Sequence, residues 1–434
     1  MSGQTNMQPP RADPPQPRVA FMQGGSRLRY AIPIALQRAG VLERMFTDWY
    51  VPSPRSPEAW LGRLVARFQP ALGRRMLSRT SDELNNDRVI AHRASILRDA
   101  WAQRRCKSPT AFYRWQARAN ARWALRRGLG ESNIVHGFVR NIHPQLLEEA
   151  RRGGRVTLAD QVIAPVAIEA REARIQEQRF GHWQPPGDRA GEQVTCALEQ
   201  ATWAATDHLT CASPYVRDGL IAQGVAADRV TVLPYPVDAQ AFSWVDRTGR
   251  GGPVTVGFVG AVSLRKGAPY FCQVARRLAG PNLRFSMVGP IRLNDAVVQE
   301  HRPWVEFAGA VPLSEVARQL ERFDMILFPS TCEGSAGALV EAMATGLPVV
   351  CSPNSGSVAR DEREGFIRPY DDVDGLAAAV EQLVADPDQR RAMGRAARER
   401  VEALSIDHYA RQITQLMQRL LAACDRSPQT ESHH

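Results

Sequence analysis

Long apolar runs are missing from this sequence of 434 residues. No window of about 18 residues is both strongly apolar and free of charge, so a membrane-spanning helix is not expected. The opening MSGQTNMQPPRADPPQP has no apolar stretch of the secretory kind. A cytoplasmic protein is the expectation. Cysteine is sparse: the seven, at 106, 196, 211, 272, 332, 351 and 424, are odd in number, scattered, and never spaced C-x-x-C. Neither a disulfide framework nor a zinc knuckle is suggested, and reduced structural thiols are expected. Lysine is nearly absent, with only Lys107 and Lys266 among 55 basic residues. Such a bias toward arginine is what a GC-rich genome produces, and it makes a surviving lysine informative.

What is present points to an ordinary soluble protein. Hydrophobic residues make up 44% and charged ones 23%, which excludes a chain disordered throughout. The length calls for two domains of roughly 200 residues each. The net charge is +10, but it is unevenly spread. Between 51 and 130, sixteen arginines and Lys107 stand against five acids, so this stretch carries +12 and the remainder about −2. A basic segment of this kind attracts phosphorylated headgroups, an anionic membrane surface or nucleic acid, and no nucleic-acid recognition motif accompanies it.

Residues 1–17 read as a disordered, Pro-rich lead-in. RVAFMQ (18–23) alternates as a strand, runs into Gly24-Gly25, and is followed by a helical pattern from Arg27 to Ala39. From about 55 to 128 the texture is helical. Trp60, Leu61, Leu64, Val65, Phe68, Leu72 and Met76 recur at three- and four-residue spacing with arginines largely off that stripe, and Pro70 is expected to kink or divide the run. The stripe is either the inner face of an ordinary core helix or part of a basic amphipathic surface. NIVHG (133–137), RVTLAD (155–160), DHLTCAS (207–213) and RVTVLPYP (229–236) are strand candidates separated by helices.

The amino-terminal domain is taken as 18–245 and the turn-rich 246–253 as a linker. Residues 254–405 form a second domain, 406–424 a closing helix returning to the first, and 425–434 a tail. In 254–405, short apolar runs ending in small residues (VTVGFVG, LRFSMVG, WVEFAG, DMILFPS, LPVVCS) alternate with helices. Such strands imply a parallel sheet covered on both faces. The fold class is therefore α/β, two Rossmann-like doubly wound domains facing across a cleft. Ligands of such sheets sit at the carboxyl ends of the strands.

The richest stretch is PSTCEGSAGALVEAMATGLPVV (329–350). A strand ends, a loop carries Glu333, and a helix carries Glu341. Ser335 is placed to cap that helix, Gly337 to let an anion approach its first-turn amides, and Glu341 to accept two ribose hydroxyls. The alternative is a loop carboxylate, a solvated helical glutamate and glycines that merely ease packing. In the amino-terminal half, Gly24 and Gly25 are either a phosphate-approaching loop or an ordinary strand–helix turn. His136 ends NIVHG on the cleft side as a site residue, or is a hydrogen-bonded core histidine. His143 is a weaker rival, and Asp160, closing RVTLAD, either points into the cleft as well or is a loop carboxylate. REARIQEQRFGHW (171–183) is an acceptor loop or a solvated helix with packed aromatics.

The 329–350 segment resembles the signature of the retaining glycosyltransferases of family 4, the group 1 transferases with the GT-B fold. CASPYVRDGLIAQGVAADRVTVLPYPVDAQAF (211–242), GFVGAVSLRKG (257–267) and the G-x-x-R-P-Y-D-D at 365–372 are similar to further stretches of that family. The resemblance covers roughly 195–405. It implies that Gly260, Arg265 and Lys266 hold the diphosphate of a nucleotide-sugar, that Glu341 holds its ribose, and that Glu333 with His136 attends the transferred sugar. Gly24, Gly25, Ser335 and Gly337 would complete the donor site. Two departures stand out. Ala261 occupies a position where many members carry arginine, and Ser335-Ala336 replaces a usual Phe-Gly.

The activity implied is transfer of a sugar from a UDP- or GDP-sugar to a lipid-linked or polysaccharide-precursor glycan. Anomeric configuration would be retained, and no metal or other cofactor would be needed. The basic segment would contact the inner face of the cell membrane, and no nucleic-acid partner is expected. A nucleotide-sugar epimerase of the same fold and a catalytically silent, membrane-associated scaffold are the alternatives. A pyridoxal-phosphate phosphorylase is disfavoured, because Lys107, set among arginine-rich helices, is a poor Schiff-base candidate.

Overall fold

The computed structural model describes residues 16–424 except 188, 190 and 250. Most of the Pro-rich lead-in, and the tail 425–434, lie outside the described residues.

The amino-terminal half builds a seven-stranded sheet from β1 (Val19–Met22), β2 (Leu42–Thr47), β3 (Val89–Ala91), β4 (Ile134–Phe138), β5 (Val156–Gln161), β6 (His208–Cys211) and β7 (Val230–Val232). The second half builds a six-stranded one from β8 (Val254–Val259), β9 (Leu283–Val288), β10 (Glu306–Gly309), β11 (Met325–Phe328), β12 (Val349–Cys351) and β13 (Gly365–Ile367). Every pairing between these strands is parallel. The orders are β3-β2-β1-β4-β5-β6-β7 and β10-β9-β8-β11-β12-β13. Both sheets reverse direction of growth at their first strand, so the loops leaving β1 and β8 sit at the topological switch points where doubly wound sheets bind ligands. This is the α/β architecture the sequence predicts.

The helices are α1 (Ala31–Arg38), α2 (Pro57–Phe68), α3 (Pro70–Leu77), α4 (Ser95–Arg105), α5 (Pro109–Arg127), α6 (Pro144–Arg152), α7 (Val166–Phe180), α8 (Glu192–Ala204) and α9 (Pro214–Ala222), then α10 (Ala268–Leu278), α11 (Asp295–His301), α12 (Leu313–Glu321), α13 (Gly337–Ala344), α14 (Val373–Ala385), α15 (Pro387–Glu402) and α16 (Ile406–Cys424). Ser-Pro pairs start three of them. Ser56, Ser108 and Ser213 accept hydrogen bonds from the amides of Ala59, Ala111 and Val216, each with proline as the next residue. Pro70 opens α3 rather than kinking a longer helix.

Two elements bind the halves together. Helix α16 crosses back, packing Tyr409, Ile413 and Met417 into the core around β1, β2 and α1. From the other side, α7 reaches the second domain. Tyr270 Oη donates to Gln176 (2.8 Å), Tyr370 Oη to Glu172 (2.8 Å), and Arg179 pairs with Asp371 (2.9 Å). Trp183 is buried in the second domain's core, so the segment 171–183 is a helix with packed aromatics and a solvent-exposed side, as the second of its two expected readings has it, and it serves as an interdomain strut.

The chain leaves the first domain through Tyr235, which is anchored by Asp160. That carboxylate, fully buried at the end of β5, accepts hydrogen bonds from the hydroxyls of Tyr235 and of Thr210 (2.8 Å). It is a core group rather than a loop carboxylate. Burial raises its pKa to about 6. A carboxyl whose folded pKa is raised favours folding most below its unfolded value, and that contribution disappears as pH climbs through about 6. Relative to the wild type, Asp160→Asn should therefore gain thermal stability as pH rises from about 4 to 7. A constant difference in melting temperature across that range would show that Asp160 does not titrate as stated.

Candidate functional site

The loop leaving β8 passes through Gly260 and ends at Gly267, whose φ of 78° is left-handed and whose added Cβ would lie 1.8 Å from the Pro329 carbonyl oxygen. Only glycine fits there. This contact stitches the β8 loop to the loop leaving β11. The carbonyl of Arg265 accepts from the Thr331 amide (2.9 Å), the Thr331 hydroxyl (3.0 Å) and the Ser330 hydroxyl (3.1 Å). Arg265 and Lys266 are thereby brought against Glu333. Arg265 Nη1 and Lys266 Nζ each stand 2.6 Å from the same oxygen, Oε1. Lys266 also lies over the Phe328 ring at 5.2 Å, and burial lowers its pKa while Glu333 opposes the shift. Two cations against one carboxylate leave the cluster with a net positive charge; Lys266 and Glu333 are largely covered, while Arg265 stays exposed to water.

One residue beyond Glu333, Gly334 meets the first domain. A Cβ there would sit 1.7 Å from the Val162 carbonyl oxygen, and the Gly334 carbonyl accepts from Ser213 Oγ at 2.6 Å. Helix α13 then begins at Gly337. Its cap is Ala336, which offers no side-chain hydrogen bond. The expectation that Ser335 caps this helix is therefore corrected, because the helix starts one residue too late for it. The first-turn amides of α13 are left without a side-chain acceptor, at the positive end of the helix dipole.

Ser335, Gly337 and Glu341 form the second-domain wall of an interdomain cavity of about 800 Å³. Its opposite wall includes Leu28 and Arg29, and its floor the crossover segment around Tyr235. Arg265, Lys266 and Glu333 are not in that wall, although the strap Glu333–Ser335 connects them to it. Gly24 and Gly25 lie just before Leu28. The Gly25 amide donates to Asp48 Oδ1 (2.9 Å), which Arg79 holds in turn through Oδ2 (2.6 Å).

His136 is not brought to this place. The strand does not end at Gly137 but continues through Phe138, so His136 is its third residue, fully buried, with its ring 5.0 Å from Phe21 and neither ring nitrogen hydrogen-bonded. Burial pushes its pKa down to about 3. The expected cleft-side position of His136 is corrected to a neutral core residue, without the hydrogen bond that the alternative assumed. His143 caps α6, its Nδ1 accepting from the Gln145 amide at 3.2 Å.

Sequence reading missed Arg29. Leu28, Arg29 and Tyr30 have φ of 50°, 49° and 64°, three left-handed non-glycine residues in a row, costing on the order of 1–2 kcal/mol each. Strain of this kind collects at functional sites, and it turns Arg29 toward the cavity. The side chain is exposed and without an ion pair among the described residues. The cavity's other cation, Arg38, is held by Glu83 (2.5 Å) and Asp407 (3.1 Å). No local signal betrays the turn, because Leu-Arg-Tyr is not a left-handed sequence.

Comparison with known proteins agrees with this geometry. Residues 253–386 match the family model of the glycosyl transferases group 1. More than nine-tenths of the chain superposes on GT-B glycosyltransferases, so its fold is GT-B. Sucrose-phosphate synthase from Thermosynechococcus elongatus matches with a TM-score of 0.65 at 19% identity, over 94% of this chain and 100% of that one. The HepE protein of Anabaena in complex with UDP matches with a TM-score of 0.56 at 13% identity, over 93% and 100%. In sequence, the chain is similar to an amylovoran biosynthesis glycosyltransferase of Erwinia amylovora, 29% identical over 217 residues. That match covers 46% of this chain and 53% of the relative. The chain thus spans about half the length of this curated relative.

Burial raises the pKa of Glu341, and the charge of Arg29 across the cavity opposes the shift. Arg29→Ala should therefore raise that pKa further, as read by an NMR titration of the glutamate carboxyls. An unchanged value would mean that Arg29 does not act on Glu341.

Proposed function

We propose that the protein transfers a sugar from a UDP- or GDP-sugar to a glycan acceptor, lipid-linked or a polysaccharide precursor, with retention of anomeric configuration and without a metal ion. The observation that carries this reading is the cavity between the loop leaving β1 and the start of α13, with the β8 loop stitched to the strap that leads into that helix. The start of α13, which has no side-chain cap among the described residues, and Glu341 stand on one wall, Arg29 on the other, and the Arg265–Lys266–Glu333 cluster at the end of the connecting strap. The match to group 1 transferases over 253–386 supports it, as does the UDP held by a neighbour of the same fold.

In this reading Glu341 accepts the ribose hydroxyls, and the amides of α13 with Arg265, Lys266 and Gly260 face the diphosphate. Arg29 closes on the donor from the first domain, near the Gly24-Gly25 loop. Glu333, fixed by its two cations, receives hydroxyls of the transferred sugar. The bond between C1 and the diphosphate oxygen breaks, and the acceptor hydroxyl forms the new bond on the same face of C1. Its proton passes to the departing diphosphate, whose growing charge the fixed cations and dipoles stabilise. His136, neutral and buried, has no part in these steps. The protein would work in the cytoplasm, stationed at the inner face of the membrane.

Thermal-shift measurements with UDP, GDP, ADP and dTDP, each with and without magnesium, test the donor site. Stabilisation by UDP or GDP without magnesium is expected, equivalent to about 2.7 kcal/mol at a hundredfold excess over Kd. Glu341→Ala should abolish it, and Lys107→Ala, exposed between α4 and α5, should not. A strict need for magnesium, or indifference to all four nucleotides, would sink the proposal. Turnover of the donor without an acceptor would favour an epimerase, and vesicle binding without nucleotide binding a silent scaffold.

A further inference from the structure

Most of the apolar stripe of the basic segment lies outside the core, although Met76 is buried and Val65 packs against the same small cluster. Ten large apolar side chains are exposed among the described residues, and seven belong to α2–α5, among them Trp60 (61% exposed), Phe68 (80%) and Leu97 (78%). The reason is visible where α2 meets α3. A Cβ on Gly73 would lie 2.3 Å from Ala66 Cα, and one on Gly62 would lie 2.8 Å from Leu77 Cδ2. The helices touch through their small residues, with Ala59 and Met76 beneath, and the large side chains of the stripe are left facing outward.

Arginines flank them. Arg63, Arg67, Arg74 and Arg75 are all exposed, and the last three have no ion pair among the described residues. The single acid of these two helices, Glu58, is buried and taken by Arg93 (2.7 Å). On α4, whose Ile96 packs against the same small core, Trp101 carries Arg105 over its ring at 4.2 Å.

We propose that the outer face of the α2–α3 hairpin, flanked by α4, docks on an anionic lipid bilayer. Trp60, Phe68 and Leu72 would enter the headgroup boundary, and Arg67, Arg74 and Arg75 would meet lipid phosphates. Charge complementarity selects this occupant. A second copy of the chain would bring the same unpaired arginines face to face. Single-stranded nucleic acid stacks on aromatic rings, but Leu61, Leu72 and Leu97 offer none, whereas acyl chains accept them equally. The inference rests on the membrane station proposed above and is independent of sugar transfer.

Co-sedimentation of the full chain with phosphatidylcholine vesicles, with and without phosphatidylglycerol, tests it. Binding should require the anionic lipid and weaken with salt. Each arginine removed in Arg67→Gln/Arg74→Gln/Arg75→Gln should lower the partition about fivefold. Trp60→Ser/Phe68→Ser should weaken binding while leaving its dependence on lipid charge, and both variants should keep the wild-type melting temperature because the changed residues are exposed. Three results would each overturn the inference: a wild type that ignores anionic vesicles, a triple variant that binds as well as the wild type, or a self-association lost in the Trp60/Phe68 variant without any lipid binding. If the wild type transfers sugar to a soluble acceptor but ignores vesicles, this inference fails and the assignment of activity stands.

Discussion

At Gly334 the two domains press backbone against backbone, and the site depends on that contact. Its backbone presses on the Val162 carbonyl and is held by Ser213 Oγ, a hydroxyl that also caps α9. One short strap thus carries Glu333 on one side and Ser335 on the other, with the first domain clamped between. Any side chain at Gly334 must push the domains apart, separating the wall that bears Arg29 from the wall that bears Glu341. The geometry of the cavity follows from a backbone contact that no larger residue permits.

The electrostatics follow from the same strap. Glu333 is mostly buried, a state that costs several kcal/mol for a lone carboxylate, and Arg265 and Lys266 offset that cost by sharing one of its oxygens. The arrangement orients all three side chains and leaves one excess positive charge at the edge of the cleft, shared between the covered Lys266 and the exposed Arg265, where it can attract a phosphate. Lysine is informative for this reason. In a chain that uses arginine almost throughout, position 266 holds a compact ammonium that fits over Phe328 and beside Glu333.

How much of this could be read from the sequence differs between the halves. The strands β11 and β12 are buried on both faces, so their apolar runs are unbroken, and β8 and β9 are nearly so despite Thr255 and the exposed Arg284. By contrast, β2 went unread because Glu43 and Arg44 interrupt LERMFT, and β3 and β13 because they are three-residue edge strands. The loops bearing Lys266 and Glu333 and the helix bearing Glu341 were legible, since glycine and small residues mark them. His136 misled because the residue following its glycine is apolar and keeps the strand going. Arg29 was invisible, since a left-handed turn in Leu-Arg-Tyr is imposed by packing, with Tyr30 fully buried beneath it. The stripe on α2 and α3 had the right period, but which face turns inward was decided by Gly62, Ala66 and Gly73.

Most of what is unfavourable in this fold lies at or next to the cleft: the left-handed run 28–30, the buried Lys266 and Glu333, and Asp160 beneath the crossover. Local rules of sequence are broken there, the pattern expected when structure is maintained for something other than stability. The exposed aromatics of α2 and α4 break the rules differently. They cost the folded protein nothing in strain, yet leave apolar surface in water that the same helices could have buried with the opposite helical phase. A cleft that stores strain explains the first group of violations and leaves the second untouched, so the outer face of the first domain requires a cause of its own.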